Sequence, residues 1–138
     1  MKHLDELLAW YGALSMASLA RIGEHYHPRA RFKDPFNDVE GIAAIGRVFE
    51  HMFQTTESPR FIIREQLADG GRAFVTWDFE FGIKGRRHSV HGATRFAFDA
   101  AGLVTEHRDY WDAAEELWQK LPLIGRPVAW LRRRFQAD

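Results

Sequence analysis

The sequence predicts an α+β fold: a cone-shaped, curved antiparallel β-sheet with N-terminal helices packed on its concave face and a C-terminal helical extension. Apolar residues recur at helical spacing in the first part of the chain, and long alternating stretches fill the second part. Helices followed by a run of strands are typical of α+β domains. Aromatic residues make up 14% of the chain, which indicates a large core or a cavity lined by rings.

Length and composition favour one domain. No cofactor is expected. The 138 residues suit a single domain over 1–138, with a core at about 4–112 and an extension at 113–138. The formal net charge is +0, so no global field attracts nucleic acid, and the lack of cysteine excludes disulfides and thiolate metal sites. Asp5 and Glu6 interrupt the apolar run that a signal peptide needs, and no stretch has the length of a membrane span. We therefore expect a cytoplasmic protein.

The first element is predicted to be a helix. It either continues as far as His27 or breaks between Gly12 and Ser18, which leaves a second short helix from Ala17 to Tyr26. Helical structure ends before Pro28, because the residue before a proline avoids the helical region. The residues that form the apolar stripe at helical spacing are Leu4, Leu7, Leu8, Tyr11, Leu14 and Ile22.

A short strand and another helix are predicted next. Residues 30–36 alternate small or apolar with charged side chains, which predicts an edge strand, and Pro35 suits an edge or a turn. Asn37 to Gly41 have the composition of a turn. A helix then ends before Ser58. The apolar residues that indicate this helix are Ile42, Ile45, Phe49, Met52 and Phe53.

Four long strands are predicted for the second half. Glycine-containing turns separate them, and the first turn, Asp69-Gly70-Gly71, is a hairpin signal. Strands of this length twist and curl, so the sheet can enclose a space. The predicted strands cover residues 60–68, 72–83, 87–98 and 103–111.

The tail predicts two short helices beyond the sheet. Asp112 to Glu115 resembles a capping box that opens a helix to about Lys120, and Pro127 opens a last helix over 128–135. Residues 132–134 are three arginines that give this helix a basic face. The helix either packs its apolar side on the domain, covers the mouth of a pocket, or touches a membrane surface.

The order of elements and two local segments resemble the nuclear transport factor two-like superfamily. This superfamily includes ketosteroid isomerase, scytalone dehydratase, limonene epoxide hydrolase and the SnoaL-like polyketide cyclases, and the likeness covers roughly residues 4–112. Residues 30–36 look like the segment of ketosteroid isomerases that ends in Asp-Pro and carries the catalytic base. Residues 7–11 look like their first-helix segment with the oxyanion-hole tyrosine. Residues 106–113 with the tail are similar to SnoaL-like proteins without a known substrate.

The resemblance implies roles for individual residues. Asp34 matches the base and Tyr11 matches the tyrosine that stabilises the oxyanion. Ketosteroid isomerases also hold a second, protonated aspartate on the third long strand, where this chain has Thr94. A threonine hydroxyl is a weaker donor, which argues against steroid isomerisation. The resemblance further implies a homodimer that forms through the outer face of the sheet.

Strand parity selects the side chains that face inward. In the last strand, His107, Asp109 and Trp111 compete with the set that contains Glu106 and Arg108. Register against the family places the first set in the pocket, and a bulge would reverse this choice. The predicted inward set is Tyr11, Asp34, Phe49, Trp77, Phe79, Thr94, His107, Asp109 and Trp111.

The polar members of this set are the candidate catalytic residues. A carboxylate in an apolar pocket has a raised pKa and can act as a general base, whereas Asp34 before a proline can also simply cap a turn. Asp109 can act beside it or form a salt bridge. His107 can transfer protons or form part of the pocket wall, and Tyr11 can donate to an oxyanion or lie in the helix core. The remaining histidines are scattered without the spacing of a metal motif, so no metal site is expected.

Two functions follow from this set. The first is an enzyme that transfers a proton on an apolar carbonyl or polyketide-like substrate, as an isomerase, cyclase or dehydratase does. Epoxide hydrolysis needs an inward arginine between two aspartates, but parity points Arg95 and Arg108 outward. The second is a non-catalytic domain that binds a small hydrophobic molecule or serves as a dimerisation module.

Overall fold

The structure, a computed structural model, describes residues 2–111. The C-terminal helices predicted at 113–138 lie outside the described residues. No helix in the described part is long and apolar enough to cross a membrane. The elements, in chain order, are α1 (Lys2–Gly12), a 3-10 helix (Ser18–Glu24), β1 (Tyr26–Lys33), β2 (Asp38–Glu40), α2 (Ile42–Thr55), β3 (Glu57–Asp69), β4 (Arg72–Ile83), β5 (Arg86–Phe98) and β6 (Val104–Tyr110).

The α+β fold class is confirmed. The strands form one curved, open sheet in the order β2-β1-β6-β5-β4-β3, and α1 and α2 contact it on its inner face. The long strands β3 to β6 form an antiparallel meander that starts and ends close to the predicted residues. One pair differs from the antiparallel expectation, because β1 runs parallel to β6. A parallel pair needs a long connection, and here the whole of α2 to β5 supplies it.

The predicted break in the N-terminal helix is confirmed. The helix ends at Gly12, and two serines build the connection that follows. The backbone N–H of Ser15 donates to Ser18 Oγ at 2.8 Å, and the N–H of Ser18 donates to Ser15 Oγ at 3.1 Å. Such local side-chain bonds compete with helical hydrogen bonds, which explains why the chain turns here although the apolar spacing continues.

The prediction that residues 30–36 form an edge strand is wrong. The strand begins earlier, at Tyr26, and lies inside the sheet between β2 and β6. Residues 38–40, predicted as part of a turn, are the true edge strand. Pro28 is tolerated inside β1 because the register against β6 shifts between Tyr26 and Arg31, where its missing N–H disrupts no regular ladder.

A bulge near the start of β6 determines which side chains face inward. Phe98 pairs with Val104 and Ala97 pairs with Glu106, so Thr105 is an extra residue. Val104 and His107 are therefore both fully buried although they are three positions apart. The bulge lies before residue 106, and it leaves the predicted parity of the residues after it unchanged.

Gly92 makes room for the ring of Trp77, its direct neighbour across β4 and β5. A Cβ at position 92 would lie 2.5 Å from Cη2 and 2.8 Å from Cζ2 of that ring. The indole Nε1 is hydrogen-bonded to Thr94 at 2.8 Å, so the ring cannot swing away without losing this bond. The absence of a side chain at position 92 therefore fixes the place of Trp77.

We predict that Gly92→Ala lowers the free energy of unfolding by about 1–3 kcal/mol and changes the near-ultraviolet signal of Trp77, because overpacking moves the ring. Gly46→Ala is the matched control. No atom lies within 4 Å of its new methyl group, and alanine favours a helix over glycine by about 1 kcal/mol. Urea denaturation measures both. A Gly92→Ala protein as stable as the wild type would contradict the tight contact.

Candidate functional site

A cavity of about 70 Å³ lies between α2 and the concave face of the sheet. Seven of the nine predicted inward residues line it: Tyr11, Asp34, Phe49, Trp77, Phe79, Asp109 and Trp111. The other lining side chains are Phe32, Val48, His51, Met52, Thr55, Phe61, Phe81 and Val90. The wall is mainly aromatic, and Phe61, Phe79 and Phe81 stack in a row with ring centroids 4.6 and 4.9 Å apart.

The Tyr11 hydroxyl is a buried donor without a partner. Among the described residues, it makes no hydrogen bond, although the side chain is only 1% exposed. Tyr11 belongs to the apolar stripe of α1 and packs on Phe61 at 4.5 Å between ring centroids. Burial, and then the charge of Asp109, raises the pKa of the Tyr11 phenol well above its usual value. The hydroxyl therefore stays protonated and can donate to a ligand in the cavity.

Asp34 is positioned by the bend that follows β1. Its Oδ1 accepts the backbone N–H of Phe36 at 2.8 Å and that of Asn37 at 2.6 Å. The Asn37 amide also donates to both carboxylate oxygens, and the Asp34 N–H closes the turn on Asn37 O at 2.9 Å. The turn-capping alternative is thus present in the structure. It does not exclude a chemical role, because the same carboxylate lines the cavity.

The pKa of Asp34 is raised to about 6. Burial is the largest cause, and the negative charge of Asp109 adds to it, whereas the hydrogen bonds from Phe36 and Asn37 act in the opposite direction. A carboxyl group with this pKa is a stronger base than an exposed aspartate and is still mostly ionised at neutral pH.

Asp109 is fixed by two buried donors that meet at one oxygen. The Thr94 hydroxyl donates to Oδ1 at 2.5 Å, and Nε2 of His107 lies 2.7 Å from the same atom. Among residues 2–111, no group donates to Oδ2. One oxygen of Asp109 is thus held by the protein, and the other remains available at the cavity.

These contacts belong to a directed chain of hydrogen bonds. An indole only donates, so Trp77 Nε1 donates to Thr94 Oγ1, and the threonine hydrogen points to Asp109. At the other end, the Tyr26 hydroxyl lies 2.6 Å from Nδ1 of His107. We assign Nε2–H of His107 as the donor to the Asp109 carboxylate, which leaves Nδ1 of that tautomer to accept from the Tyr26 hydroxyl. The chain joins β1, β4, β5 and β6.

Thr94 and His107 lie deeper in the fold than the residues that line the cavity, and their predicted roles at a ligand stay predictions. Both side chains point inward, as parity predicts, but Thr94 is 1% exposed and His107 is 0% exposed, and neither lines the cavity. Rings of Tyr26, Phe32 and Phe96 surround the imidazole. Thr94 and His107 stand behind Asp109 and orient it.

Two residues that support the site are absent from the set predicted from the sequence. The predicted helix that ends at Tyr26 hides the parity of this residue with Ala30 and Phe32 on β1. Asn37 is predicted only as part of a turn, whereas its amide donates to both carboxylate oxygens of Asp34. An earlier start of the strand would have revealed Tyr26. Nothing in the local sequence indicates the role of Asn37 beyond turn composition.

The comparisons with known proteins identify the family of this chain. A family model described as the SnoaL-like domain matches residues 7–107. The chain belongs to the SnoaL-like family. The matched range contains Tyr11, Asp34 and His107 and ends just before Asp109. No curated protein matches the sequence.

Solved structures show the same SnoaL-like fold at low sequence identity. TerC co-crystallised with polyporic acid has a TM-score of 0.73 and 18% identity over 83% of this chain and 95% of that chain. A putative SnoaL-like polyketide cyclase from Jannaschia sp. CCS1 has a TM-score of 0.73 and 16% identity over 91% and 93%. A protein with a ketosteroid isomerase-like fold from Catenulispora acidiphila DSM 44928, in complex with trimethylamine, has a TM-score of 0.72 and 19% identity over 88% and 96%.

The described part of this SnoaL-like chain offers no metal centre. Within residues 2–111, no three histidine, aspartate or glutamate side chains are grouped so that they could hold an ion.

Arg95 pairs with Glu106 at 3.1 Å, and Arg108 stacks on Tyr110. Neither Arg95 nor Arg108 is among the described residues that line the cavity.

We predict that Tyr26→Phe lowers the free energy of unfolding by about 1–3 kcal/mol, because the buried Nδ1 of His107 loses its partner. Tyr110→Phe is the matched control. That side chain is 49% exposed, so we expect a change within about 0.5 kcal/mol. Urea denaturation gives the stabilities, and imidazole nitrogen shifts of His107 report the tautomer. Equal stability of the two variants, with unchanged shifts, would refute the hydrogen-bond chain.

Proposed function

We propose that the cavity binds a small apolar carbonyl compound and transfers a proton at a carbon next to the carbonyl group. Family membership and fold support a ligand-binding or catalytic role in general. One observation carries the finer proposal: a carboxylate with a raised pKa and an unpartnered buried phenol line the same apolar cavity.

The chemistry requires a base and a donor to the carbonyl oxygen. Ionised Asp34 removes the proton from the carbon, and the C–H electron pair moves toward the carbonyl oxygen. Tyr11 O–H donates a hydrogen bond to the negative charge that develops there, inside a site from which rings exclude water. In a β,γ-unsaturated ketone, return of the proton from Asp34 to the γ-carbon gives the conjugated isomer. In a β-hydroxy ketone, the C–O bond breaks, the hydroxyl leaves as water with the proton from Asp34, and an enone remains.

Asp109 supports Asp34 in this scheme. Its charge helps to keep the pKa of Asp34 raised, and its free Oδ2 offers a second position for the proton. Thr94 and His107 hold the other oxygen, so the carboxylate does not rotate when the ligand changes charge. His107 is thus a positioning residue in this proposal, and the direct transfer roles belong to Asp34 and Asp109.

The relatives fit a small organic ligand of this kind. The Jannaschia protein is described as a putative polyketide cyclase, and TerC was crystallised with polyporic acid.

A non-catalytic binding domain is the second candidate function of this chain. It is favoured by the four hydrogen bonds that Asp34 already makes within its turn, which give this carboxylate a structural reason to be present.

We predict that the protein accelerates exchange of deuterium from D₂O into the carbon next to the carbonyl of a small cyclic ketone such as cyclohexenone. Asp34→Asn should reduce the rate about 10²–10⁴-fold because the base is lost. Tyr11→Phe should reduce it about 10²–10³-fold because the oxyanion loses its donor. Asp38→Asn, at an exposed carboxylate on β2, is the control and should retain the rate. Proton NMR follows the exchange.

The pH dependence of the same rate tests the assignment of the base. Asp34 acts only when ionised, so the rate should rise as the pH increases through about 6 and become constant above it. Asp109→Asn removes a charge that raises the pKa of Asp34, so the midpoint should move to lower pH. Exchange that persists in Asp34→Asn, or a midpoint that moves upward in Asp109→Asn, would rule out this role.

The homodimer implied by the resemblance stays a prediction. Phe74 is 53% exposed and lies on the outer face of the sheet, where a second copy can cover it. Native mass spectrometry at micromolar concentration should show a dimer, and Phe74→Glu should convert it to a monomer. Met16→Glu, at an apolar residue 51% exposed away from the sheet, is the control. A wild-type monomer would contradict the prediction.

A further inference from the structure

Arg108 differs from the other arginines on the outer face of the sheet. Its Nε is buried and, among the described residues, has no hydrogen-bond partner, and no carboxylate pairs with its guanidinium. An unsatisfied buried donor is destabilising and calls for an explanation. The arginines on this face that do form ion pairs are Arg31 with Asp38, Arg60 with Glu80, Arg64 with Asp78 and Arg95 with Glu106.

A second cation lies beside Arg108. Lys33 is its direct neighbour across the parallel pair of β1 and β6, and Lys33 likewise forms no ion pair within residues 2–111. The acidic groups near both are already engaged, because Arg31 binds both oxygens of Asp38 at 3.0 Å and Arg95 binds Glu106 at 3.1 Å. Neither Lys33 nor Arg108 has a direct ion-pair partner among these groups, although the charge of Asp38 attracts both from a longer distance. An anion between the two cations would give them a direct partner.

The side chain of Arg108 is held in an orientation that suits an anion. Its guanidinium carbon lies 4.9 Å above the centre of the Tyr110 ring. A stacked guanidinium is restricted in movement, and its planar edge keeps the N–H donors free for a carboxylate or phosphate. The ring contact therefore stabilises the charge without using the hydrogen bonds that an anion would accept.

This pair of cations lies on a groove that adjoins the candidate site. The groove has a volume of about 690 Å³ and is lined by Lys33, Asp34, Pro35, Arg108, Asp109, Tyr110 and Trp111. Asp34, Asp109 and Trp111 also line the cavity, so one molecule can occupy both spaces. Lys33 and Arg108 directly precede the two carboxylates in the sequence, so their side chains point to the opposite face of the sheet. The groove is lined by all four residues and therefore connects the two faces.

We infer that Lys33 and Arg108 form an anion subsite, and that the ligand of this cavity is a small organic acid whose apolar part enters the cavity while its carboxylate binds in the groove. This inference deepens the proposed function and rests on it for the carbonyl group near Tyr11 and Asp34. The size of the cavity restricts the apolar part to about one ring, since sites for drug-sized ligands measure about 300–1,000 Å³. The anionic group lies outside, where the groove is wide and open.

The test compares two ligands that differ only in charge. 3-Benzoylpropionate carries a ring, a ketone and a carboxylate, and its primary amide has the same shape without the charge. Isothermal titration calorimetry on the full chain should give a Kd at least tenfold lower for the acid than for the amide. Arg108→Gln and Lys33→Gln should each reduce this ratio at least threefold, and Arg108→Lys should retain part of it. Arg60→Gln, at a paired arginine elsewhere on the sheet, should leave the ratio unchanged.

Several outcomes would overturn the subsite. Equal Kd values for the acid and the amide would overturn it. So would an unchanged ratio of these two Kd values in Arg108→Gln, provided that circular dichroism shows an intact fold. If Arg108→Gln changes the oligomeric state but not the ratio, the arginine belongs to an interface between copies and the subsite is wrong. The deuterium exchange of neutral ketones separates the two proposals. A charge preference without exchange supports the subsite and refutes proton transfer, whereas exchange without a charge preference does the reverse.

Discussion

The hydrogen bonds to Oδ1 of Asp109 are the interaction on which the rest of the site depends. Two donors from different strands meet at this one atom, and a third and a fourth residue hold those donors in turn. A carboxylate in an apolar interior destabilises the fold unless hydrogen bonds replace those that it makes with water. The chain from Trp77 to Tyr26 meets that requirement on the inner side of Asp109. Asp109 can then present its other oxygen to the cavity, and its charge contributes to the raised pKa of Asp34.

The two carboxylates of the site are supported in different ways. Asp34 depends on backbone N–H groups of its own turn, so its position follows from a few consecutive residues. Asp109 depends on side chains that are distant in sequence, so its position follows from the register of the whole sheet. A change in strand register would therefore displace Asp109 and leave Asp34 in place. Packing at Gly92 therefore bears on Asp109 through Trp77 and Thr94, although Gly92 does not line the cavity.

Much of the fold follows from local patterns. Alternation and turn residues predict the bounds of β4 to β6 to within one residue and those of β3 to within three, and helical spacing predicts α2. The errors concern β1 and β2, because the alternation of residues 30–36 does not reveal that the strand begins at Tyr26 or that residues 38–40 pair with it. Pairing partners are set by tertiary packing, which a short polar segment does not encode.

For the candidate site, the sequence predicts which face of the sheet each residue lies on. Parity and resemblance together identified seven residues that line the cavity, and they also placed Thr94 and His107 on the inner face. Parity does not give depth, so it could not show that these two lie behind Asp109. Likewise, the unpartnered Nε of Arg108 emerges only from the three-dimensional arrangement, since in sequence this arginine resembles its paired neighbours.

The parallel pairing of β1 with β6 has a consequence for how the protein forms. Tyr26 and His107 are 81 residues apart, and every intervening element must fold or move aside before they meet. Contacts between distant residues slow folding, because closing a long loop lowers the entropy of the chain before the favourable contact forms. During synthesis, β1 emerges early and has only the three residues of β2 beside it until the last strand arrives. The wall that carries Asp109 is thus completed last, and until then the chain exposes a long strand edge and an open aromatic interior that other chains can bind.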